Sequence, residues 1–277
     1  MVHLSNAKSL SVHNNIINPL DSSVKKPNLA IKKLGIVSRD YRTRFENGYR
    51  DFSFRLTEVL GFLDTRKCDS VLFSLYSIID RSNFNIRESF RNLQHVRAVF
   101  LEKFDDGKER KVKNLIVYYL EENDWREYKL HQKFGSLSGT PAHHLNDFVA
   151  KEIPRRVLGN FCVLLCGESN GVKYSQKCRA VKDIFGLRKS IPPEVKVVLN
   201  PVHDRMTRFE MNLKRKFLSE NDRWMISVWN KGREDRRGIA RDGNRPAWKI
   251  FHDGQEKEIN PIANELDIEF GIVDFKP

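Results

Sequence analysis

Several short runs of this chain are apolar at nearly every position: SVLFSLYSII (70–79), VKNLIVYYL (112–120), NFCVLLCG (160–167), VKVVLN (195–200) and WMISVWN (224–230). A strand that is apolar on both faces has to be covered on both, so such runs belong inside layered structures rather than at a half-solvated sheet. Other segments carry the helical period. FSFRLTEVLGFLDTRK (52–67) sets Phe54, Leu56, Val59, Leu60 and Leu63 on one face of a predicted helix. Further helices are expected near 174–186 and from about 207 to 220, while 86–103 fits either period and stays open. LAIKKLGIV (29–37) reads as the first strand and ELDIEFGIVDF (265–275) as a last extended segment. Alternation of doubly apolar strands with helices predicts an α/β domain whose sheets are covered by helices.

Two hairpins are legible from their turns. VKNLIVYYL passes through Glu121-Glu122-Asn123-Asp124 into WREYKLHQKF (125–134), and AWKIFHDGQEKEI (247–259) turns at Asp253-Gly254. The 277 residues suffice for one large core. Residues 1–28 are polar, rich in Asn and Ser, and end in Lys25-Lys26-Pro27, so they are expected to form a loose arm ahead of a single domain over 29–277.

No apolar run reaches the roughly 18–20 residues that span a bilayer. The first twenty residues lack the apolar stretch of a signal peptide, which makes a cytoplasmic protein the expectation. The four cysteines, Cys68, Cys162, Cys166 and Cys178, contain no CxxC pair and point to free thiols in a reducing compartment. Cys162 and Cys166 are spaced to face one side of a strand. His143-His144 has no third ligand at zinc spacing, so neither a metal nor another cofactor is expected. The net charge of +13 is spread over RKVK (110–113), RR (155–156), KRK (214–216) and RR (236–237). Such dispersion fits a solvated surface, with weak nucleic-acid contact by Lys214, Arg215 and Lys216 on an exposed helix as the alternative.

The stretch FCVLLCGESNG (161–171) is the chemically suggestive one, because an apolar strand ends there on a thiol followed by glycine and an acid. Cys166 reads either as a buried structural thiol or as a nucleophile delivered to a cleft. Glu168 reads either as a cap on the following turn or as an acid beside the sulfur. His203, in NPVHDRM, sits after a strand, where binding and catalytic groups collect and where surface histidines are equally common.

In order, EYKLHQKF after a hairpin, NFCVLLCGES, KVVLNPVHDRM, the strand WMISVWNKG and the hairpin AWKIFHDGQEKEI make the chain resemble the nitrilase superfamily of carbon–nitrogen hydrolases over roughly residues 29–270. The resemblance implies a four-layer α-β-β-α sandwich that pairs through helical faces into a homodimer or larger assembly. It puts Lys129 in the place of the catalytic lysine, an oxyanion stabiliser, and Cys166 in that of the nucleophile. Tyr76, Asn200 and His203 fall around the implied pocket as substrate-binding residues. The family's proton-transferring glutamate, in a Phe-Pro-Glu segment, has no match: Phe73-Ser74-Leu75 stands there, and no acid follows on that strand before Asp80. Asp147 and Glu152 are the candidates for a second family glutamate, and Glu168 for a replacement base. The expected activity is cysteine-dependent hydrolysis of a non-peptide C–N bond in a small amide-like molecule. The alternatives are a catalytically degenerate binding or scaffold protein and a basic nucleic-acid-associated module.

Overall fold

The computed structural model describes residues 26–40, 51–79, 85–104, 114–135, 139–203, 208–232, 245–264, 266 and 268–275. In chain order the elements begin with β1 (Lys33–Arg39), α1 (Leu56–Asp64), β2 (Ser70–Phe73), β3 (Ile78–Ile79), β4 (Ala98–Phe104), β5 (Asn114–Glu121) and β6 (Asp124–His131). There follow α2 (Ala142–Asp147), α3 (Ile153–Arg156), β7 (Phe161–Val163), β8 (Lys173–Ser175), β9 (Ala180–Lys182), α4 (Leu187–Ser190) and β10 (Val197–Pro201). The chain closes with α5 (Phe209–Ser219), β11 (Trp224–Val228), β12 (Trp248–His252), β13 (Gln255–Lys257) and β14 (Ile268–Asp274).

Two sheets stack face to face. The first runs β14-β1-β2-β4-β5-β6, with β3 beside β4, and the second runs β13-β12-β11-β10-β7. Side chains from both fill the space between them: Leu34, Ile36, Leu72, Phe100 and Val117 from the first, Phe161, Val163, Leu199, Ile226 and Ile250 from the second. The opposite face of the first sheet is covered by α1, through Leu56, Val59, Leu60 and Leu63 on Val71, Phe73 and Phe270. The opposite face of the second lies under α2, α3, α4 and α5, where Leu145, Ile153, Leu187 and Leu218 meet Cys162, Val198 and Met225. The chain is therefore an α-β-β-α sandwich in four layers, which is why its strands are apolar on both faces. No helix of the described residues is long and apolar enough to cross a membrane.

Both expected hairpins form. Glu122 and Asn123 (φ 51° and 70°) turn β5 into β6, and Asp253 and Gly254 (φ 46° and 72°) turn β12 into β13. These are left-handed pairs whose twist matches that of the strands they join. The open segment 86–103 becomes a 3-10 turn at Ile86–Phe90 followed by β4. The helix expected near 174–186 is instead the antiparallel pair β8–β9, closed by a turn at Gln176–Arg179 with Arg179 at φ 48°. A left-handed residue there breaks any helical hydrogen-bond ladder. Phe54, placed in the apolar stripe of the first helix, precedes α1 and is exposed.

Helix α5 is not the exposed basic surface expected from KRK. Lys214 and Arg215 are buried, Lys214 reaching Asn170 Oδ1 at 2.7 Å and Arg215 reaching Ser227 Oγ at 2.9 Å, and only Lys216 of the three is exposed. The basic runs at 110–113 and 236–237, and residues 1–25 of the expected arm, lie outside the described residues. The arm's last residues are built into the fold: Lys26 Nζ donates to the Pro154 carbonyl at 3.1 Å, and Pro27 is buried.

Candidate active site

In the first sheet β1, β2 and β4 run parallel, and in the second β7, β10 and β11 do. The C-terminal ends of the two sets meet. Leu75 N donates to Val202 O at 3.3 Å, and Lys231 N to Arg39 O at 2.8 Å. Asn230 Nδ2 donates to Leu75 O at 2.7 Å, and Ser38 Oγ to Trp229 O at 2.6 Å. Carboxyl ends of parallel strands are where open α/β sheets gather ligand-binding groups.

Cys166 stands at this junction. Along the strand, Phe161, Val163 and Leu165 point between the sheets, whereas Cys162 packs in the outer core under the helices. Simple alternation puts residue 166 on the outer side too, as its spacing from Cys162 suggested. It does not go there, because Cys166 has φ 41°. That left-handed backbone, uncommon for a residue with a Cβ, brings the thiol back against the inter-sheet core and against Val202, Trp229 and Ala247.

The turn is held from three directions. Asn200 Nδ2 donates to Leu164 O at 2.6 Å and to Cys166 O at 3.1 Å, while its Oδ1 accepts from Ser227 Oγ at 3.0 Å. Glu168, wholly buried, accepts from Leu165 N at 2.8 Å, Lys133 N at 2.7 Å and the Arg156 guanidinium at 2.8 Å. Burial pushes the Glu168 carboxyl up, to about 7, against the pull of Arg156 and the two backbone N–H groups. Its oxygens are thus spent on holding the 3-10 turn that follows Cys166. The third constraint is Gly167, where an added Cβ falls 1.9 Å from Gly135 O. Gly167 is needed for the close passage of two backbones, while the tight turn itself is made by the cysteine. Gly167→Ala is expected to cost at least about 1–3 kcal/mol, because backbone cannot give way as a flexible side chain can. A thermal melt superimposable on the wild type's would contradict that close approach.

The group beside the thiol is His203, just beyond β10. Its imidazole lies within hydrogen-bonding and electrostatic reach of the Cys166 thiol. Its Nε2 lies 3.0 and 3.1 Å from the two oxygens of Glu102, and its ring packs on Tyr76 at 4.1 Å between centroids. Glu102 is 1% exposed. On β4, Ala98 and Phe100 belong to the inter-sheet core and Val99 and Leu101 to the outer one, so the next residue, Glu102, projects between the sheets. Its second oxygen also accepts from Tyr76 N at 2.6 Å. Tyr76 itself takes φ 56°, a second left-handed residue at the same junction. Burial works against a charged His203, but hydrogen bonds to Cys166 and Glu102 and the charge of Glu102 outweigh it and raise the imidazole to about 9.

Thiol, imidazole and carboxylate therefore form one chain, Cys166–His203–Glu102. Of the residues singled out in the sequence, Cys166, His203 and Tyr76 meet here, and Asn200 lies beneath them, holding the backbone. Lys129 is not brought to them. Its neighbour Leu130 pairs with Leu115 on the inter-sheet side, and Lys129 pairs with Ile116, a residue of the outer core, so the lysine projects from the opposite face of the sheet and is exposed. Period 2 along β6 forces this separation. Asp147 is exposed on α2, and Glu152 pairs with Lys133 at 3.2 Å. Leu75 is buried in the inter-sheet core, and the amide following it binds Glu102. Glu102, on the neighbouring strand β4, places its carboxylate just beyond the end of β2.

Glu102 is the residue that sequence reasoning missed. Its signal was present in AVFLEKF, where Glu102 falls on the same strand face as Ala98 and Phe100. A charge in that setting needs a partner. Among the described residues, no group of three His, Cys, Asp or Glu side chains is placed to hold a metal ion.

No protein-family model and no curated protein matches the chain. Solved structures with a similar layout include an amidase from Nesterenkonia sp., 10% identical with a TM-score of 0.47 over 92% of this chain and 94% of the amidase. Another is a carbon-nitrogen hydrolase from Helicobacter pylori, 10% identical with a TM-score of 0.43 over 88% of this chain and 89% of the hydrolase. A third is a glutamine-dependent NAD(+) synthetase from Cytophaga hutchinsonii, 8% identical with a TM-score of 0.44, of which this chain spans 43%. At such identity the likeness is one of chain layout, and the chemistry rests on the residues of this chain.

Proposed function

We propose that the protein is a cysteine-dependent hydrolase of small amide-like C–N bonds, with Cys166 as nucleophile, His203 as proton carrier and Glu102 as its orienting partner. The observation that carries this reading is the left-handed Cys166 within reach of an imidazole that a buried carboxylate holds in place. A thiol attacks as its thiolate, and a neighbouring imidazolium favours that form. With its pKa near 9, His203 carries its proton at neutral pH.

The steps balance without a cofactor. The Cys166 sulfur bonds to the amide carbonyl carbon, and the carbonyl oxygen takes up negative charge. His203 gives its proton to the nitrogen as the C–N bond breaks, leaving an acyl thioester and a neutral imidazole. Water then passes a proton back to His203 as its oxygen attacks the thioester carbon, and the acid product leaves with the sulfur returned as thiolate. Glu102 accepts a hydrogen bond throughout and fixes the ring, as a buried acid does beside a catalytic histidine.

Incubation with p-nitrophenyl acetate, a reactive acyl donor, is the direct test. A burst of about one p-nitrophenol per chain, with an acetyl group mapped to Cys166 by mass spectrometry, is the expected result. Acetyl on Cys68 or Cys178 at equal rates, and none on Cys166, would sink the assignment.

A further inference from the structure

One residue of the cluster packed against Cys166 carries a buried polar atom with no hydrogen-bond partner among the described residues. Trp229 is 1% exposed, in the cluster with Val202 and Ala247 against which Cys166 packs. Its backbone is fully engaged: N donates to Ala247 O at 2.9 Å, and O accepts from Ser38 Oγ at 2.6 Å. Its indole Nε1 is buried and meets no hydrogen-bond partner among the described residues. A buried indole N–H normally finds an acceptor, and leaving one unmade costs roughly 1–3 kcal/mol. Such orphans call for a reason, and a site that awaits a ligand acceptor is one.

A second observation concerns the strength of that donor. The Arg215 guanidinium carbon sits 5.7 Å from the Trp229 ring centre. Arg215 is anchored by Ser227, which also binds Asn200, the residue that clamps the Cys166 carbonyl. Burial pushes Arg215 down, to about 10, which still leaves it cationic at neutral pH. A cation against the ring draws electron density from the indole and sharpens its N–H as a donor. The expected lysine, meanwhile, points away on β6, so the proposed chemistry needs another group to meet the charge on the carbonyl oxygen.

We infer that the Trp229 indole N–H donates to the carbonyl oxygen of the acyl group attacked by Cys166, and so stabilises the oxyanion. The inference rests on the hydrolase reading above and supplies its electrostatic part. Removing one such donor is worth about 10²–10³ in rate. The substrate must then present a carbonyl or equivalent acceptor next to the scissile C–N bond.

Two reagents separate this from a packing role. Acylation by p-nitrophenyl acetate passes through an oxyanion. Methyl methanethiosulfonate attacks the same sulfur without one, since an S–S bond forms as methanesulfinate leaves. In Trp229→Phe and in Trp229→Met, acylation of Cys166 is expected to slow by about 10²–10³, while the thiosulfonate rate stays within about twofold of wild type. Reading both variants keeps the result decisive if one of them does not fold. Equal slowing of both reactions would make Trp229 a packing residue and overturn the inference, and so would no slowing of either. Wild-type protein that reacts with the thiosulfonate but never acylates would instead overturn the hydrolase reading itself.

Discussion

His203→Gln is expected to lower amide turnover by roughly 10²–10⁴, the usual contribution of a positioned proton carrier, and to remove the alkaline limb of the pH–rate profile. The imidazole proton proposed to reach the leaving nitrogen is held with a pKa near 9. Activity therefore persists as pH rises through 7 and 8 and falls through about 9, where the imidazolium is lost. The same group affects folding. Its folded value lies above the 6.5 of an ordinary histidine, so its contacts with Cys166 and Glu102 contribute stability that is fully present below about 6.5 and disappears as pH rises through about 9. Denaturant melts of wild type and His203→Gln should therefore converge at high pH. An alkaline limb unchanged in the variant would remove His203 from the mechanism.

The layered α/β plan was legible in the sequence because it follows from doubly apolar strands, and a strand inside a four-layer sandwich has no wet face. The hairpins were legible because Asn123 and Gly254 are residues that accept left-handed backbone. What the sequence hid depends on which side a residue faces after a strand stops being regular. Lys129 matched a family landmark in linear order, yet the period of β6 turns it away from the thiol. Cys166 escapes the same arithmetic through one backbone angle that no local residue preference announces. Glu168 lies two residues from the sulfur in sequence, but Arg156, Lys133 N and Leu165 N occupy it. Glu102 reaches His203 from a strand that the linear pattern left unassigned, across a separation of 101 residues. Proximity in sequence and proximity in the fold part company at each of these positions.

The two buried glutamates carry opposite expectations, and exchanging each for glutamine tells them apart. In Glu102→Gln the side chain keeps its size and can still accept from Tyr76 N, but it no longer offers charge to His203. The imidazole then loses part of what raised it, so the alkaline limb should move down from about 9 toward 6.5. Turnover should fall by up to about 10⁴, the scale seen when a carboxylate that orients a catalytic histidine is replaced by its amide. Above about pH 7, where the Glu168 carboxyl is ionised, Glu168→Gln leaves the Arg156 guanidinium, 1% exposed, without its charged partner. Breaking a buried pair from one side costs about 3–5 kcal/mol, which in a chain of this size is a fall of roughly 2–4 °C in melting temperature for each kcal/mol. Its alkaline limb should stay near 9, because the Glu168 side chain bonds Leu165 N, Lys133 N and Arg156 rather than His203 or Glu102. A limb that moves in Glu168→Gln and holds in Glu102→Gln would reverse the two assignments and return the proton chemistry to the acid behind the cysteine.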